Sequence, residues 1–485
     1  MDNQTNLQKL KSIQNQGIDT YPHKFAITHN TEQIKSNFSN ASHEMTEEKV
    51  RYAGRIMTLR THGKTTFAHL QDTYGRLQVY AGRDDLGADN HKFFNHLDLG
   101  DIIGIEGPVF RTKTGEITIR VLNFQLLAKA LHPLPEKWHG LKDVELRYRQ
   151  RYLDLISNPE VKDIFIKRSK IVAAMREFLD SHGYLEIETP MMQPLAGGAT
   201  ARPFKTHHNT LGIPLYLRVA PELYHKRVVV GGLEKIYEIN RNFRNEGIST
   251  KHNPEFTMME LYTCYWDYNP TMDLCEEMIR FIAQKAIGTT QIEYQGNQLD
   301  FGKKWTRFTV LEAIEHYTKA EFQWGENITD VKAKAQKLCG IPPELKTSDE
   351  VIMHVFEECV EKNLIQPTII KDYPSSLSPL AKASDSHPEI AERFEPYIAG
   401  MEIGNAYSEQ NDPILQRKAF EDQVKLSDKN EELPKEVDED YLRALEYGMP
   451  PASGLGIGMD RLTMILTNQT SIREVILFPL LRPET

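Results

Sequence analysis

Cysteine is scarce in this sequence. The 485 residues include four cysteines, Cys264, Cys275, Cys339 and Cys359. None forms a CxxC pair, and no histidine lies at a zinc-ligand spacing from them. This pattern excludes a disulfide-stapled secreted module and a zinc module. We therefore expect reduced, structural thiols in a cytoplasmic protein.

Long apolar runs are also missing. The N-terminal segment, MDNQTNLQKLKSIQNQG, has no apolar stretch of the kind that targeting peptides carry. No run elsewhere approaches the length of a membrane span. We therefore expect no membrane partner. The chain also shows no internal repeat and no low-complexity tract.

A positive excess of charge is the third missing feature. The 58 Lys and Arg residues are outnumbered by 68 Asp and Glu residues, so the formal net charge is −10. This balance argues against a protein that binds nucleic acid over its whole surface, although it leaves room for a local basic face. The length allows two to four domains, each with ample core.

The most informative stretch runs from Tyr237 to Tyr262, YEINRNFRNEGISTKHNPEFTMMELY. Residues 238–246 and 255–262 alternate with the period of two that indicates β-strands, and the polar tract between them is typical of a connecting loop. The sequence therefore predicts an antiparallel hairpin. One face of the hairpin carries Arg244, Glu246, Glu260 and an aromatic platform.

A charged row on a strand is equally typical of the solvated side of a sheet, and two details favour a functional face instead. Glu260 alternates with apolar and aromatic residues, which predicts a partly apolar environment for its carboxylate. The loop also concentrates polar side chains beside Arg244, a combination that can bind an anion such as a polyphosphate. These loop residues are Lys251, His252 and Asn253.

The N-terminal part predicts a helical extension over residues 1–50 and a β-rich domain over residues 51–130. Five strands with a helix between the third and the fourth describe an OB-fold barrel. The expected elements are Tyr52–Thr61, Thr66–Gln71, Arg76–Ala81, helix Asn90–Leu97, Ile102–Phe110 and Glu116–Leu127. Residues 131–150 contain two prolines, a glycine and dense charge, which is typical of a linker.

The second and third strands of this barrel offer aromatic, imidazole and amide groups. Phe67, His69 and Gln78 share the expected face, with Arg60 nearby, and such groups can stack on unpaired bases and hydrogen-bond to their edges. Composition alone leaves Phe67 equally compatible with a core position.

The second half begins with an amphipathic helix from Val161 that Gly183 ends. A strand is expected at Leu185–Thr189, and another helix begins in VAPELYHKR after Pro221. Residues 265–375 alternate helical patterns with loops, which we interpret as an insertion.

Three carboxylates spaced by seven residues follow in RFEPYIAGMEIGNAYSEQNDP, namely Glu395, Glu402 and Glu409. The surrounding residues favour strands, in which strict alternation cannot place all three on one face. Either a β-bulge intervenes or the carboxylates serve different subsites. Asn405, Tyr407 and Glu409 do share a face.

Near the C-terminus, Gly454, Gly456 and Gly458 allow close approach of a flat ligand, and Asp460-Arg461 opens a helix. A dinucleotide-binding GxGxxG motif is excluded because position 459 is Met.

Together these segments resemble the class II aminoacyl-tRNA synthetases in their lysyl form, over nearly the whole chain. FRNEG followed by HNPEFTMMELY resembles motif 2, the helix and strand before Pro190 resemble motif 1, and the glycine-rich strand followed by Arg461 resembles motif 3. APELY and EIGNAYSE lie between them in the expected order. The resemblance implies an α+β protein in which residues 151–485 form a catalytic domain, an antiparallel sheet flanked by helices with a helical insertion at about 265–375.

The resemblance also implies an activity: lysine and ATP give lysyl-adenylate and pyrophosphate, and the lysyl group then moves to the 3′ end of tRNA(Lys). It implies Mg²⁺, more than one ion per subunit, and a homodimer formed through motif 1. The implied catalytic residues are Arg244, His252 and Arg461. ATP would contact these and Glu246, Asn253, Phe256, Met258, Glu395, Glu402 and Gly458. The implied metal ligands are Glu395 and Glu402.

Lysine carries two ammonium groups, so its pocket must be acidic. The resemblance assigns Gly198, Glu222, Arg244, Glu260, Tyr262, Asn405, Tyr407, Glu409 and Gly456 to that pocket. Glu222 could equally be a helix N-terminal charge after Pro221. The anticodon would meet Arg60, Phe67, His69 and Gln78.

Two other functions fit part of the pattern. An aspartyl or asparaginyl synthetase has the same architecture, but it binds an anionic or neutral side chain, which Glu260 and Glu409 disfavour. A non-catalytic RNA-binding paralogue is disfavoured by the intact Arg244, Glu402 and Arg461.

Overall fold

The computed structural model describes residues 3–135, 141–426 and 436–484. Part of the expected linker, residues 136–140, lies outside the described residues. The chain divides into two compact units, Met1–Lys162 and Asp163–Thr485, which are described separately below.

The described part of the first unit contains an N-terminal helical pair, a β-barrel and four further helices. Its helices are α1 Asn3–Asn15, α2 Thr31–Asn37, α3 Arg83–Leu86, α4 Ala88–His96, α5 Val144–Arg149 and α6 Arg151–Ser157. Its strands are β1 Lys49–His62, β2 Thr65–Gln71, β3 Arg76–Gly82, β4 Ile102–Arg111, β5 Ile117–Arg120 and β6 Asn123–Ala128.

Strand pairing closes these strands into the ring expected of an OB-fold. β1 is antiparallel to both β2 and β4, β2 pairs with β3, and β5 joins β3 to β4. Buried alternate residues fill the interior, and Ile13 and Ile34 of the N-terminal helices join the same core. The predicted helix between the third and fourth strands is present as α4.

One detail of the predicted barrel is wrong: the expected strand Glu116–Leu127 is broken into β5 and β6. The two pieces pair with successive parts of β4, as shown by the pairs Val109↔Ile119 and Ile105↔Phe124. At this break the end of β5 passes very close to β4. A Cβ on Gly107 of β4 would clash with the carbonyl of Arg120, the last residue of β5, so the backbone bends here. The sequence carries no periodic signal for this bend.

The described part of the second unit contains fourteen strands, nine of which form its main sheet. Its strands are β7 Leu185–Glu186, β8 Met192–Gln193, β9 Lys205–His208, β10 Ile213–Leu217, β11 Lys235–Phe243, β12 Glu255–Cys264, β13 Gln291–Tyr294, β14 Asn297–Asp300, β15 Thr306–Thr309, β16 Thr368–Pro374, β17 Ile390–Ile398, β18 Met401–Glu402, β19 Gly404–Ser408 and β20 Ala452–Gly458. The main sheet has the order β15-β16-β17-β19-β20-β12-β11-β7, and β18 pairs with β17.

Helices pack on both faces of this sheet and form a separate bundle at its edge. They are α7 Pro159–Ser181, α8 Glu222–Val230, α9 Tyr268–Ile282, α10 Val310–Thr318, α11 Ile328–Ala335, α12 Ser348–Cys359, α13 Pro413–Leu426, α14 Glu439–Glu446, α15 Met459–Leu466 and α16 Ile472–Val475. Apolar residues of α7, α9 and α15 pack on Leu261 and Leu455 of the sheet. α10 and α12 share a second core with Ile370 of β16. Among the described residues, no helix is long and apolar enough to cross a membrane.

The predicted hairpin is confirmed as β11 and β12, paired antiparallel from Lys235↔Thr263 to Phe243↔Glu255. β11 ends at Phe243 rather than at residue 246. The Arg244 N–H still bonds to the Pro254 carbonyl at 2.9 Å, but the next N–H, of Asn245, turns away to the Arg202 carbonyl. Arg244 therefore stands at the mouth of the hairpin.

Candidate active site

Three glycines of β20 form the floor of the site. On one side Gly454, Gly456 and Gly458 pair with Tyr262, Glu260 and Met258 of β12. On the other side Gly454 and Gly456 pair with Tyr407 and Asn405 of β19. A Cβ at Gly454 would lie 2.8 Å from the Tyr262 ring and would clash with the Glu409 carboxylate. Glycine is therefore required here, and it leaves a trough between two walls of functional side chains.

The trough is a cavity of about 480 Å³. It is lined by every catalytic-domain residue for which the sequence predicts a role. These are Gly198, Glu222, Arg244, Glu246, His252, Asn253, Phe256, Met258, Glu260, Tyr262, Glu395, Glu402, Asn405, Tyr407, Glu409, Gly456, Gly458 and Arg461. Residues from five separate parts of the chain thus meet in one place.

One end of the cavity is cationic. The Arg244 guanidinium lies 5.1 Å from the centre of the Phe256 ring, and burial lowers the pKa of Arg244 from its ordinary value. Arg461 donates to the carbonyl of Glu402 at 2.7 Å and to its carboxylate at 3.2 Å. Asp460 anchors this helix start, since it accepts the Thr257 N–H at 2.7 Å and pairs with Arg168 at 2.6 Å.

His252 is neutral at this end. Burial and the neighbouring Arg461, Lys251 and Arg244 lower the pKa of His252 below its ordinary value. Its Nε2 lies 3.2 Å from Arg461 Nη2, which can only donate, and its Nδ1 lies 2.9 Å from Ser249 Oγ. The contacts assign the proton to Nδ1.

Two carboxylates stand beside these cations. The chain reverses at Ala399 and Gly400, both with positive φ, and the pairs Phe394↔Ala406 and Tyr397↔Glu402 show a one-residue shift of register at Ile403. This irregularity is the bulge that the seven-residue spacing left open, and it brings Glu395 and Glu402 to the same cavity.

The hydrogen bonds of this pair fit a hard cation. Glu395 accepts from the hydroxyls of Tyr373 and Tyr397 at 2.8 Å each and from Arg393 at 2.5 Å. Burial and the Glu395 charge raise the pKa of Glu402. Mg²⁺ is commonly held by one or two carboxylates together with substrate phosphates, and two carboxylates are what this site offers. The described residues contain no cluster of three or more His, Cys, Asp or Glu arranged for a metal.

The other end of the cavity is acidic. Burial, followed by neighbouring carboxylates, raises the pKa of Glu260 to about 8. Burial also raises the pKa of Glu409 to about 8, against the lowering effect of Lys226. The Tyr407 hydroxyl donates to Glu222 at 2.5 Å. Glu222 is the first residue of α8, so it combines the helix N-terminal position with a place in the cavity wall. This end favours a ligand with positive charge.

Sequence reasoning missed five residues that support these walls. Arg393 donates to Asn405 at 2.9 Å as well as to Glu395. Glu238, on the cavity-facing side of β11, accepts from Arg218 at 2.9 Å and lies 2.8 Å from His225. Lys226 pairs with Glu222 and Glu409. Only Lys226 had a usable signal, because it follows Glu222 by four residues on a predicted helix.

The first unit presents the other predicted surface. Phe67 is paired with Arg60 and with Tyr80, and His69 with Gln78, on the half-exposed outer face of β1, β2 and β3. Phe67 is therefore not a core residue.

A carboxylate that the sequence did not single out joins this face. Glu116 lies 3.1 Å from His69 and accepts a short hydrogen bond from Gln78. The Phe67 and Tyr80 rings meet edge to face at 5.2 Å. The face thus combines aromatic surface with fixed polar groups.

Comparison with known proteins agrees with both units. Residues 143–482 match the model of the class II tRNA synthetases (D, K and N), and residues 50–127 match that of the OB-fold nucleic acid binding domain. The chain is 55% identical over 478 residues to a lysine–tRNA ligase of Carboxydothermus hydrogenoformans, covering 98% of this chain and 97% of that one. It is 54% identical over 479 residues to one of Moorella thermoacetica, with 99% and 97% covered.

A third relative, the lysine–tRNA ligase of Clostridium tetani, is 49% identical over 483 residues, with 98% of this chain and 95% of the relative covered. These matches cover nearly the full length of the chain and therefore both units. The chain therefore belongs to the class II tRNA synthetases and, among them, to the lysine–tRNA ligase family.

Proposed function

We propose that this protein activates L-lysine with ATP to lysyl-adenylate and pyrophosphate, and then transfers the lysyl group to the 3′ end of tRNA(Lys). The observation that carries the proposal is the polarity of one cavity, cationic at the Arg244 and Arg461 end and acidic at the Glu260 and Glu409 end. ATP and lysine are complementary to these two ends. Because tRNA is the proposed substrate, we propose a cytoplasmic location.

Activation joins two anions, the lysine carboxylate and the α-phosphate. The site must cancel their repulsion and stabilise the charge that develops between them. Arg244 stands between the two ends with a planar, multiply donating guanidinium, so we assign it to bridge carboxylate and α-phosphate. Asn253 and Arg461 bind the outer phosphates together with His252. The unprotonated Nε2 of neutral His252 accepts from Arg461, so His252 adds no charge and holds that guanidinium in place.

The adenine is assigned to the apolar patch at the hairpin. Phe256 supplies the stacking surface, with Met258 and the exposed Glu246 beside it. Gly458 lines the cavity and has no side chain to obstruct a flat base.

Mg²⁺ would be held by Glu395 and Glu402, and more than one ion per subunit is expected with three phosphates present. When bound, Mg²⁺ neutralises phosphate charge. Tyr373, Tyr397 and Arg393 fix the Glu395 carboxylate in place.

Lysine is assigned to the acidic end. Glu222, with the backbone at Gly198, holds the α-ammonium, and Glu260, Tyr262, Tyr407 and Glu409 surround the side-chain ammonium. The Asn405 carbonyl oxygen already accepts from Arg393 at 2.9 Å. Its amide NH₂ is thereby oriented as a donor for the lysine carboxylate.

The half-exposed face of the barrel is assigned to the anticodon. Phe67 can stack on a base, and His69, Gln78 and Arg60 can hydrogen-bond to base edges or phosphate. We expect Phe67→Ala and Gln78→Ala each to lower kcat/KM for tRNA(Lys) charging by about tenfold, since base stacking is typically worth about 1–3 kcal/mol. Lysine-dependent pyrophosphate exchange, which needs no tRNA, should stay unchanged.

Charging of tRNA(Lys) with radiolabelled lysine measures this, with exchange on the same preparations as the comparison. Tyr74→Ala, at an exposed turn of the same barrel, is the matched control. An equal fall of both reactions would contradict the anticodon assignment.

We also propose a homodimer formed through the motif 1 region. Large apolar side chains are exposed at the C-terminus and on α7, with Phe478 69%, Leu480 56% and Ile166 39% exposed. Phe478 and Leu480 line an apolar cleft together with Val172 and Phe243. Exposed apolar surface of this extent is typical of an interface with a second copy.

Sedimentation tests the dimer. The protein should sediment at twice the 55.8 kDa of one chain. The variant with Phe478→Asp and Leu480→Asp should dissociate at least about tenfold more readily, because buried aromatic anchors dominate interface energies. Ile414→Asp, at a 78% exposed site on α13, should leave the dimer intact. A monomeric wild type would contradict the proposal.

A further inference from the structure

We propose that Lys226 is the resident counter-cation of the amino-acid pocket, a positioning residue that fixes Glu222 and Glu409 in place for the ammonium groups of the substrate and favours the ionised form of Glu409. This inference rests on the lysine pocket proposed above and deepens it.

Lys226 lies behind the cavity wall. It follows Glu222 by one turn of α8, and its side chain is fully buried. Its Nζ lies 2.7 Å from Glu222 Oε1 and 2.5 Å from Glu409 Oε2, and 5.5 Å from the centre of the Tyr407 ring. Glu222, Tyr407 and Glu409 line the cavity, whereas Lys226 is absent from its described lining. The ammonium therefore supports the carboxylates from the rear and leaves their front open to a ligand.

A buried ion pair held only for stability needs one carboxylate per ammonium. Here one ammonium is shared by two carboxylates from different elements, and both also face the ligand cavity. Like charges so close cannot both stay ionised in a dry site without a cation between them. Lys226 supplies that cation before any substrate arrives.

The formal charges support this role. With all groups ionised, Glu222, Glu260 and Glu409 contribute three negative charges, and Lys226 and Arg244 two positive ones. The pocket then carries one net negative charge, and free lysine, with two ammonium groups and one carboxylate, carries one net positive charge. Without the Lys226 charge the pocket has one further uncompensated negative charge, which the empty pocket can neutralise only by binding a proton.

The titration behaviour of the surrounding groups agrees with the geometry. Burial alone would lower the pKa of Lys226, but Glu222 and Glu409 raise it above its ordinary value, so the ammonium stays charged. Burial raises the pKa of Glu409, Lys226 lowers it and Glu222 raises it again. Other titratable groups beside this cluster are His225, Glu260, Tyr262, Tyr407 and Tyr441.

The expected consequence is a shifted pH profile. Without the ammonium, the pocket carboxyls hold their proton to higher pH, and lysine must displace it on binding. The acidic limb, the low-pH side of the plot of kcat/KM against pH, reports the pKa of ionising groups in the free enzyme. In Lys226→Met that limb should move up by at least about one pH unit. The lysine KM near neutral pH should rise about 30-fold or more, in line with an uncompensated buried charge.

The experiment measures lysine-dependent pyrophosphate exchange from about pH 6.5 to about pH 9.5. The variants are Lys226→Met, Lys226→Arg, Glu409→Gln and the double variant of Lys226→Met with Glu409→Gln. Lys235→Met is the matched control, since that partly buried lysine bonds to the His182 carbonyl outside the cavity. The ATP KM should stay within about threefold of wild type throughout.

Lys226→Arg, which keeps the charge, should keep the wild-type acidic limb. Lys226→Met should cost much less lysine affinity on the Glu409→Gln background than on wild type, because the carboxylate it serves is already neutral. Three results would each overturn the proposal. The acidic limb of Lys226→Met could stay at the wild-type pH, the loss of lysine affinity could be equal on the wild-type and Glu409→Gln backgrounds, or the ATP KM could rise as much as the lysine KM. If Lys226→Met alone does not fold, the acidic limb of Lys226→Arg decides. A limb shifted from the wild-type pH overturns the proposal, and an unshifted limb supports it.

Two variants distinguish an error in the lysine pocket from an error in the role of Lys226. A Glu409→Gln enzyme with unchanged lysine selectivity would overturn the lysine pocket itself, and this inference with it. A normal Lys226→Met enzyme beside a disabled Glu409→Gln enzyme would overturn only the role of Lys226.

Discussion

Arg244→Ala is expected to reduce lysine-dependent pyrophosphate exchange by on the order of a hundredfold or more. Removing a charge-assisted donor from a transition state costs roughly 3 kcal/mol or more, and Arg244 is the group placed between the cationic and acidic ends of the cavity. The loss should appear in kcat, because the developing charge exists only in the transition state.

Folding should survive this substitution. Arg244 lies just beyond the end of β11, its backbone N–H keeps the bond to Pro254, and its guanidinium faces the cavity and the Phe256 ring. Thermal unfolding monitored by circular dichroism checks this point. Arg241→Ala is the control, since Arg241 is exposed on the same strand and forms an ion pair with Glu255 at 3.3 Å. Near-normal exchange by folded Arg244→Ala would remove Arg244 from its assigned role.

In Glu409→Gln the enzyme is expected to lose its preference for lysine over uncharged analogues. The side-chain ammonium must leave water to enter the cavity, and a carboxylate has to compensate for that desolvation. Breaking a largely buried charge pair typically costs about 3–5 kcal/mol. The loss should fall on lysine KM and kcat/KM, with ATP binding little changed. Norleucine, which has no side-chain ammonium, should lose far less.

The same substitution should change the pH dependence of lysine binding. With the pKa of Glu409 at about 8 in the empty pocket, the carboxyl is largely protonated below that pH and ionised above it. Lysine affinity of the wild type should therefore improve as pH rises towards 8, and Glu409→Gln should weaken that dependence. Lysine KM measured at several pH values tests this. A steep, unchanged profile in Glu409→Gln would shift the assignment to Glu260, whose pKa is also about 8.

Local periodicity was sufficient to predict the centre of the fold. Alternation in residues 238–262 predicts the β11–β12 hairpin, and the spacing of Gly454, Gly456 and Gly458 predicts a strand open to a ligand. Both patterns depend only on the two-residue repeat of a strand, which neighbours along the chain establish. The five-strand pattern of the barrel was accessible for the same reason.

Features that depend on contacts between distant segments were not accessible. The bulge at Ile403 places Glu395, Glu402 and Glu409 in one cavity, yet it results from how β19 and β18 pair with β17. The break between β5 and β6 depends on the close approach of Gly107 to Arg120. In the sequence Lys226 is an ordinary helix residue, and only the fold places Glu409 Oε2 2.5 Å from its Nζ.

The most direct test is amino-acid-dependent pyrophosphate exchange by the wild-type protein with lysine, norleucine, aspartate and asparagine. A cavity lined by Glu222, Glu260 and Glu409 should support exchange with lysine at a kcat/KM at least about a hundredfold above each of the others, because buried charges left unpaired disfavour the wrong side chain. Comparable or faster exchange with aspartate or asparagine, or no exchange with lysine, would contradict the account.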